Sequence, residues 1–368
     1  MRVSAQIACF FLVPFVVVAT ASRSLAGQDW EVEAHAGALM TTNPTGGASA
    51  LPPVGPNLPL NGPSPTSITR RVPSWYFGDG AAILNQILGP RSPARIVPLD
   101  PILQSPIVER QSGASFGVRI HRSLTTRFGV EFALDGSQSR LALRSPVKDA
   151  VAQSQASFLA TWNTLLNIPA GGTQMVTTDA TLDGDRGRQL VTSGALLINL
   201  LSSKAFTPYV AVGAGYIAAR GGAPAVAVVG TYDFTFPQIV IPPGIPQFHL
   251  NESDNVKIQS VVENSATFVF GGGVKYMLGD RWGVRADLRD YVNRDVIRTR
   301  VTTDPRDVFA VAGGTLTFSL AQNAPVLIFS STPLSLSTLS TTINDFQTFK
   351  GNGIVNQVNV SAGVFWRF

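Results

Sequence analysis

The sequence is poor in charge, cysteine and histidine. Only 14% of its 368 residues are charged, and it holds one cysteine and three histidines. Low charge together with 34 glycines and 25 prolines argues against an ordinary helical enzyme domain. No Lys/Arg run of the kind that binds nucleic acid is present, so we expect no nucleic-acid partner. Metal-ligand spacings, phosphate-binding glycine loops and nucleophile motifs are also missing, and we expect no cofactor, no metal site and no enzymatic activity.

The one long apolar run lies at the N-terminus. Arg2 supplies a positive charge, Ile7–Ala19 is apolar, and small residues precede Ala26. This order predicts a secretory signal peptide over residues 1–26, cleaved after Ala26 or alternatively after Ala21. Its removal lowers the net charge from +5 to +3, because two arginines leave, and removes Cys9, which excludes disulfides from residues 27–368. No later stretch approaches the ~18 apolar residues of a spanning helix, so strands must carry any membrane crossing.

Alternation with a period of two residues is the main structural signal, and it is clearest at the C-terminus. The even positions from Ile354 to Phe368 are apolar except for Asn356, whereas most odd positions are small or polar. Alternate side chains of a strand point to opposite faces, so one face here is apolar and the other polar. Trp366 and Phe368 suit an aromatic girdle at a membrane interface.

Seven further segments repeat this alternation, which predicts eight strands in all. They are Trp30–Ala38, Ala114–His121, Arg127–Asp135, Leu190–Leu200, Val210–Ala218, Ala266–Leu278 and Arg281–Arg289. Short connections alternate along the chain with long ones at about 41–112, 138–188, 220–262 and 293–353. Outer-membrane barrels sort their connections in this way, with short periplasmic turns and long external loops. A closed cylinder also leaves no unpaired backbone edge in hydrocarbon.

We therefore predict an all-β fold, an antiparallel up-and-down transmembrane barrel of eight strands, spanning 27–368 and located in a bacterial outer membrane. A hairpin around Leu316–Phe329 would raise the count to ten, or it could stand above the membrane. The first long connection holds 13 prolines, which discourages regular strand pairing. Short helices are predicted at Ala81–Leu88 and Val151–Ile168; the apolar face of the second either packs on its own loops or faces a partner.

Four segments resemble the small outer-membrane barrels typified by the transmembrane part of outer-membrane protein A and by opacity-type surface proteins. They are Pro208–Tyr216, Gly271–Tyr276, Trp282–Tyr291 and Val360–Phe368. The resemblance covers the strands but not the loops. It implies contact with outer-membrane lipid and lipopolysaccharide, and, during assembly, with periplasmic chaperones and the outer-membrane assembly machinery. Val364, Trp366 and Phe368 resemble the terminal signal which that machinery recognises.

Charged residues on the polar face of the strands are predicted to form a network inside the barrel. The interior of an eight-stranded barrel is just wide enough to be filled by side chains, and buried charges there must pair. The predicted members are Glu31, Glu33, His35, Arg119, Arg127, Glu131, Asp135, Lys275, Arg285, Asp287, Arg289 and Arg367. Such a network forms a plug, or alternatively lines a narrow ion path.

Three functional hypotheses follow. The first is a non-enzymatic barrel with a structural, adhesion or recognition role carried by its external loops, for which the sequence does not identify a ligand. The second is a narrow porin-like channel for ions or small solutes. The third is an enzyme at the rim: His121 lies at a predicted periplasmic turn, whereas His249 lies on an external loop near Glu252 and Asp254.

Overall fold

The computed structural model describes residues 30–44, 46–49, 74–76, 81, 85, 93–166, 174–201, 205–235, 248–303, 306–311, 314–316 and 343–368. The predicted signal peptide with its cleavage site at Ala26, most of the helix predicted at Ala81–Leu88 and most of the hairpin predicted at Leu316–Phe329 lie outside these ranges. Among the helices of the described ranges, none combines the length and apolar character needed to cross a bilayer.

Eight strands close into a ring in which each strand pairs antiparallel with two neighbours. In ring order they are β1 (Trp30–Thr41), β4 (Gly113–Ser123), β5 (Phe128–Ser137), β8 (Arg188–Asn199), β9 (Phe206–Arg220), β12 (Ser265–Met277), β13 (Trp282–Thr303) and β16 (Ile343–Arg367). Pairing of β16 with both β1 and β13 closes the cylinder. The prediction of an eight-stranded antiparallel barrel is confirmed.

The two ends of the barrel differ. The short connections from β4 to β5, from β8 to β9 and from β12 to β13 lie at the end where Trp30 and Phe368 exchange backbone hydrogen bonds of 3.0 and 3.1 Å. We call this the turn end. The longer connections all leave the opposite end, which we call the cap end.

The outer surface of the barrel is apolar. Exposed side chains along the strands include Val118, Phe132, Val212, Phe268 and Val364, of which Phe268 is 73% exposed. Trp282 and Trp366 add exposed aromatic rings at the turn end, as in the interfacial girdles of transmembrane barrels. A large apolar surface around a sealed cylinder is stable in hydrocarbon, where every backbone polar group must be paired within the protein. The fold is a transmembrane β-barrel.

Two adjacent strands, β13 and β16, continue well beyond the cap-end rim, and the polarity of β13 inverts there. Inward-facing residues of β13 are charged within the barrel, as at Arg285, and apolar beyond it, as at Ile297. Its outward residues change in the opposite direction, from Leu288 to Arg294. Above the rim the sheet therefore has an apolar inner face and a polar outer face, as sheets of water-soluble proteins do.

The structure beyond the rim is an ordered domain, which we call the cap. Its strands are β2 (Gly47–Ser49), β3 (Val108–Arg110), β6 (Leu141–Leu143), β7 (Gln174–Leu182), β10 (Ala225–Thr235), β11 (Phe248–Val262), β14 (Arg306–Val311) and β15 (Gly314–Leu316). Its helices are α1 (Asp100–Leu103) and α2 (Ser145–Leu166). The strand order β7-β10-β11 continues into β13 and β14.

A single apolar core joins the cap sheet to the helices. Val228, Ile258 and Ile297 supply its sheet side, and they are almost fully buried. Phe158 and Trp162 of α2 pack on the opposite side; the Phe158 ring stacks on Tyr76 with centroids 4.9 Å apart, and the Trp162 ring meets Trp75 edge-on at 5.5 Å. The helix predicted at Val151–Ile168 is therefore present, and its apolar face packs on its own connections.

Candidate functional site

An ion pair crosses the full width of the barrel. Arg285 Nη1 on β13 donates to Glu131 Oε2 on β5 at 2.5 Å. These two strands are four places apart in either direction around the ring, so their side chains meet near the barrel axis. A lumen bridged in this way has no open path along its centre at that level.

Around this pair, three arginines and three carboxylates form one buried cluster. Arg119 donates to Glu33 and to Asp287 at 3.0 Å each, and Arg289 donates to Glu131 at 2.5 Å and to Asp287 at 3.0 Å. Arg285 also donates to Glu33 at 2.9 Å and to Asp287 at 2.6 Å. Equal numbers of opposite charges with charge-assisted bonds offset the desolvation that would make an isolated buried charge prohibitive.

Two tyrosines donate hydrogen bonds to buried carboxylates of the lumen. The Tyr209 hydroxyl donates to Asp287 Oδ2 at 2.5 Å and accepts from Arg285 Nε at 2.5 Å. Its ring also lies 4.6 Å below the Arg285 guanidinium carbon. Gly273 makes room for this arrangement, because a Cβ at that position would come within 2.5 Å of the Tyr209 hydroxyl. The Tyr291 hydroxyl donates to Asp135 Oδ2 at 3.2 Å.

His35 links the cluster to Asp135. Its Nε2 lies 2.5 Å from Asp135 Oδ1, and its Nδ1 lies 3.7 Å from Glu33 Oε1. The imidazole is fully enclosed and stands between two carboxylates. Polar contacts therefore continue from the centre of the barrel toward the cap end.

A second charged group fills the lumen at the turn end. Glu31 is its centre: Oε2 pairs with Lys275 and lies 3.2 Å from His121 Nδ1, and Oε1 accepts from Arg367 Nη2 at 2.6 Å. His121 is only 4% exposed. It is held among charged side chains within the protein.

Toward the cap end the filling is polar, with one further ion pair, and finally apolar. Ser115 donates to Asn359 at 2.8 Å, and above this level Arg110 of β3 donates to Asp295 at 3.4 Å. Leu103 and Ile107 then belong to the apolar core of the cap, and both are 0% exposed. The lumen is thus occupied in three layers: charged, polar and apolar.

A buried carboxylate fastens the 74–76 segment to the cap sheet. Asp254 Oδ2 on β11 accepts from the Ser74 hydroxyl at 2.9 Å and from the Trp75 backbone N–H at 2.6 Å. Its other oxygen, Oδ1, is buried without a hydrogen-bond partner among the described residues. Burial raises the pKa of Asp254 from 3.8 to about 7, although the bonds from Trp75 and Ser74 act in the opposite direction.

Not every residue predicted for the interior lies there. Arg127 is exposed, because it belongs to the 124–127 turn and its alternation with the strand breaks where pairing ends; the prediction for this residue is wrong. Arg281 is exposed at another turn for the same reason. Val364, Trp366 and Phe368 lie on the outward face and are 55%, 50% and 67% exposed. His249 lies within β11, paired with Thr235 and Ala310, rather than in an irregular loop.

Comparisons with known proteins do not assign the chain to a family. No protein-family model and no curated protein matches the chain. Among solved structures, the chain is similar to the outer membrane protein OprG from Pseudomonas aeruginosa, with 10% identity and a TM-score of 0.38. The match covers 92% of this chain and 95% of that one.

Several residues of the site could have been predicted from the sequence, although the predicted network did not include them. His121, Tyr209 and Tyr291 share the inward parity of Arg119, Arg285 and their neighbours, so counting every inward polar group would have included them. Arg110 and Asp254 could not be found in this way, because both lie in connections whose folding depends on the cap. No group of three or more metal-ligating side chains occurs among the residues that the structure describes.

Proposed function

We propose that the chain is a non-enzymatic outer-membrane protein of bacteria, a closed barrel that holds an ordered cap at the cell surface, with a structural or recognition role. The observation that carries this proposal is the Arg285–Glu131 pair across the lumen. The apolar core above it closes the same passage a second time. A barrel whose lumen is filled at two successive levels is suited to presenting a surface rather than to conducting solutes.

Two of the three histidines are buried, and their burial supports the non-enzymatic assignment. His35 and His121 are both enclosed within the ion clusters of the lumen, at 6% and 4% exposure. An enzyme acting on lipid or protein at the membrane surface needs its acid–base group within hydrogen-bond reach of the substrate. Neither residue meets this requirement.

Planar-bilayer recording of the refolded protein tests the closed barrel. We expect no steady conductance once insertion is verified by a heat-modifiability gel, in which a folded barrel migrates differently before and after boiling. A porin recorded in the same bilayers serves as the control. Stepwise, long-lived currents would instead favour the alternative, a narrow channel for ions or small solutes through the charged cluster.

Single cysteines test the orientation, because residues 27–368 contain none. Asp185→Cys places a thiol on an exposed cap residue, and Arg127→Cys places one on an exposed turn-end residue. We expect a membrane-impermeant maleimide to label the first variant on intact cells and the second only after the outer membrane is permeabilised. The reverse result would contradict a surface-facing cap.

A further inference from the structure

Strand pairing is interrupted at one place in the wall between barrel and cap. The β8–β9 ladder ends where Arg188 pairs with Arg220, and the β7–β10 ladder begins where Leu182 pairs with Val226. On the other side of β9, pairing with β12 ends at Ser265, and pairing of β10 with β11 resumes at Gln259. The segments between these positions lie outside the ladders; 183–187 and 221–225 remain in contact through the Asp183 N–H, which donates to the Ala225 carbonyl at 2.9 Å.

Glycines shape the backbone where the ladders stop. Gly187, Gly221 and Gly222 have φ angles of +96°, +83° and +74°, in the left-handed region that L side chains rarely adopt. The three occur in facing connections, at 183–187 and 221–224, so both strands turn at the same level. The three glycines therefore allow the backbone to turn at this level.

A pocket with a cavity volume of about 210 Å³ lies at this level. Its lining includes Arg110, Arg188, Arg220 and Ser260, with an apolar wall to which Val261 and Val262 belong. The lining thus contains three arginines, no acidic residue and an apolar wall. Because one water occupies ~30 Å³ in the liquid, the space accommodates a group much larger than a single water.

Arg188 and Arg220 stand side by side at the upper limit of the apolar belt. The next outward residue on β8 toward the turn end is Leu190, and on β9 the outward series below Arg220 includes Val212 and Val210. Both arginines are exposed, and neither forms an ion pair with a residue that the structure describes. They therefore lie at the level where lipid chains give way to head groups.

The third arginine and a serine lie deeper in the same pocket. Arg110 is buried and donates to Asp295 at 3.4 Å, so its charge is already partly matched. The Ser260 hydroxyl is buried and has no hydrogen-bond partner among the described residues. An unmatched buried hydroxyl is costly, and a polar ligand atom in the pocket would relieve that cost.

We propose that this pocket, with Arg188 and Arg220 at its mouth, binds a phosphate group of the phosphorylated glycolipid in the outer leaflet. The proposal rests on the outer-membrane location given under Proposed function. Planar guanidinium groups recognise phosphate oxygens through paired hydrogen bonds, and two of them side by side fit a doubly charged group. The apolar wall formed by Val261, Val262 and Ala219 accepts the carbon skeleton next to the phosphate.

The test is a titration of the refolded mature protein in detergent micelles with bisphosphorylated lipid A, followed by microscale thermophoresis. We expect the R188Q/R220Q double variant to bind on the order of tenfold or more weakly than the wild type, because two charge-assisted contacts are lost. The matched control is R127Q/R281Q, which removes two exposed arginines at the turn end and should bind like the wild type. Lipid A stripped of phosphate should bind as weakly as the double variant.

Three results would overturn the proposal. One is equal affinity of the wild type and R188Q/R220Q, and another is equal binding of the phosphate-free glycolipid, which would mean that the apolar belt alone holds it. The third is inorganic phosphate binding as tightly as lipid A, which would identify a free anion as the ligand. A heat-modifiability gel verifies folding of each variant, and the single variants Arg188→Gln and Arg220→Gln replace a double variant that does not fold. A barrel that folds and is closed but does not bind lipid A would refute this inference and leave the proposed function intact.

Discussion

Arg285 reaches Glu131 across the barrel, from one side of the ring to the strand directly opposite. The pair is 1% and 0% exposed in its side chains, and its 2.5 Å contact is one of several made by each partner. Opposite walls of the cylinder are thus tied to each other through side chains as well as through the strands between them. The lumen is part of the folded core of this protein.

Removing the acid of this pair should be strongly destabilising. Glu131→Ala leaves Arg285 and Arg289 without a buried partner, and we expect the free energy of unfolding to fall by about 3–5 kcal/mol. Urea titration of the barrel in micelles measures this loss. Arg127→Ala, at an exposed turn position, should change the same quantity by no more than about 0.5 kcal/mol. Equal stability of the two variants would show that the cluster contributes nothing to the fold.

The tyrosine hydroxyl in the cluster should matter in its own right. Tyr209→Phe keeps the ring but removes the donor to Asp287 and the acceptor for Arg285, and it should cost about 1–3 kcal/mol in the same titration. Tyr276→Phe makes the same chemical change on the outer face, where Tyr276 is 47% exposed, and serves as the control. The idea fails if both variants unfold at the wild-type urea concentration.

The Asp254 anchor predicts a pH dependence of the cap. The folded state raises the pKa of this carboxyl from 3.8 to about 7, so the folded protein holds the proton more tightly than the unfolded chain does. Stability of the anchor is therefore highest below pH 3.8 as far as this group is concerned, and it decreases as the pH rises from about 4 to about 7.

Hydrogen exchange at the Trp75 and Tyr76 amides at pH 5 and pH 8, corrected for the intrinsic rate, measures this effect. We expect lower protection at pH 8 in the wild type. Asp254→Asn retains an acceptor for the Trp75 N–H but cannot ionise, so its protection should be the same at both pH values. An unchanged pH difference in that variant would assign the effect to another group.

Variants of Phe368 can separate two roles of this residue: ring closure by its backbone and an assembly signal in its side chain. Phe368 exchanges backbone hydrogen bonds with Trp30 that help to close the ring, and its side chain is 67% exposed. Deletion of Phe368 should lower the amount of folded barrel in the membrane fraction on a heat-modifiability gel. Phe368→Ala keeps the backbone bonds, so a deficit of similar size in that variant would assign the effect to the aromatic side chain as an assembly signal. Wild-type yield in both variants would contradict either role.

The sequence alone was sufficient for the barrel because lipid imposes a simple rule. Where hydrocarbon surrounds a strand, outward residues such as Val360 and Phe132 must be apolar, and inward ones such as Glu131 can be polar. This alternation located all eight strands and most of the interior charges. It was misleading at Arg127, because the same parity continues into a turn that no longer faces the lumen.

The same alternation rule did not predict the cap. In the upper part of β13, Ile297 and Val301 face inward while Arg298 and Arg300 lie on the other face, the reverse of the pattern within the membrane. A search for strands whose outward-facing residues are apolar therefore stops at about residue 293, although β13 continues to Thr303 and β16 begins at Ile343. Pairing between segments as distant as Tyr76 and Phe158 depends on the tertiary fold and leaves no local signature.

The reversal of polarity along β13 also sets how deeply the protein sits in its membrane. A shift of two residues along the barrel axis toward the turn end would draw Arg294 toward the hydrocarbon, and the opposite shift would lift Leu288 and its neighbours into water. Either displacement carries a penalty at β13, where the reversal lies. The polarity of the chain therefore fixes its depth in the membrane. A bilayer of different thickness would have to deform around the protein before the protein moved along the membrane normal.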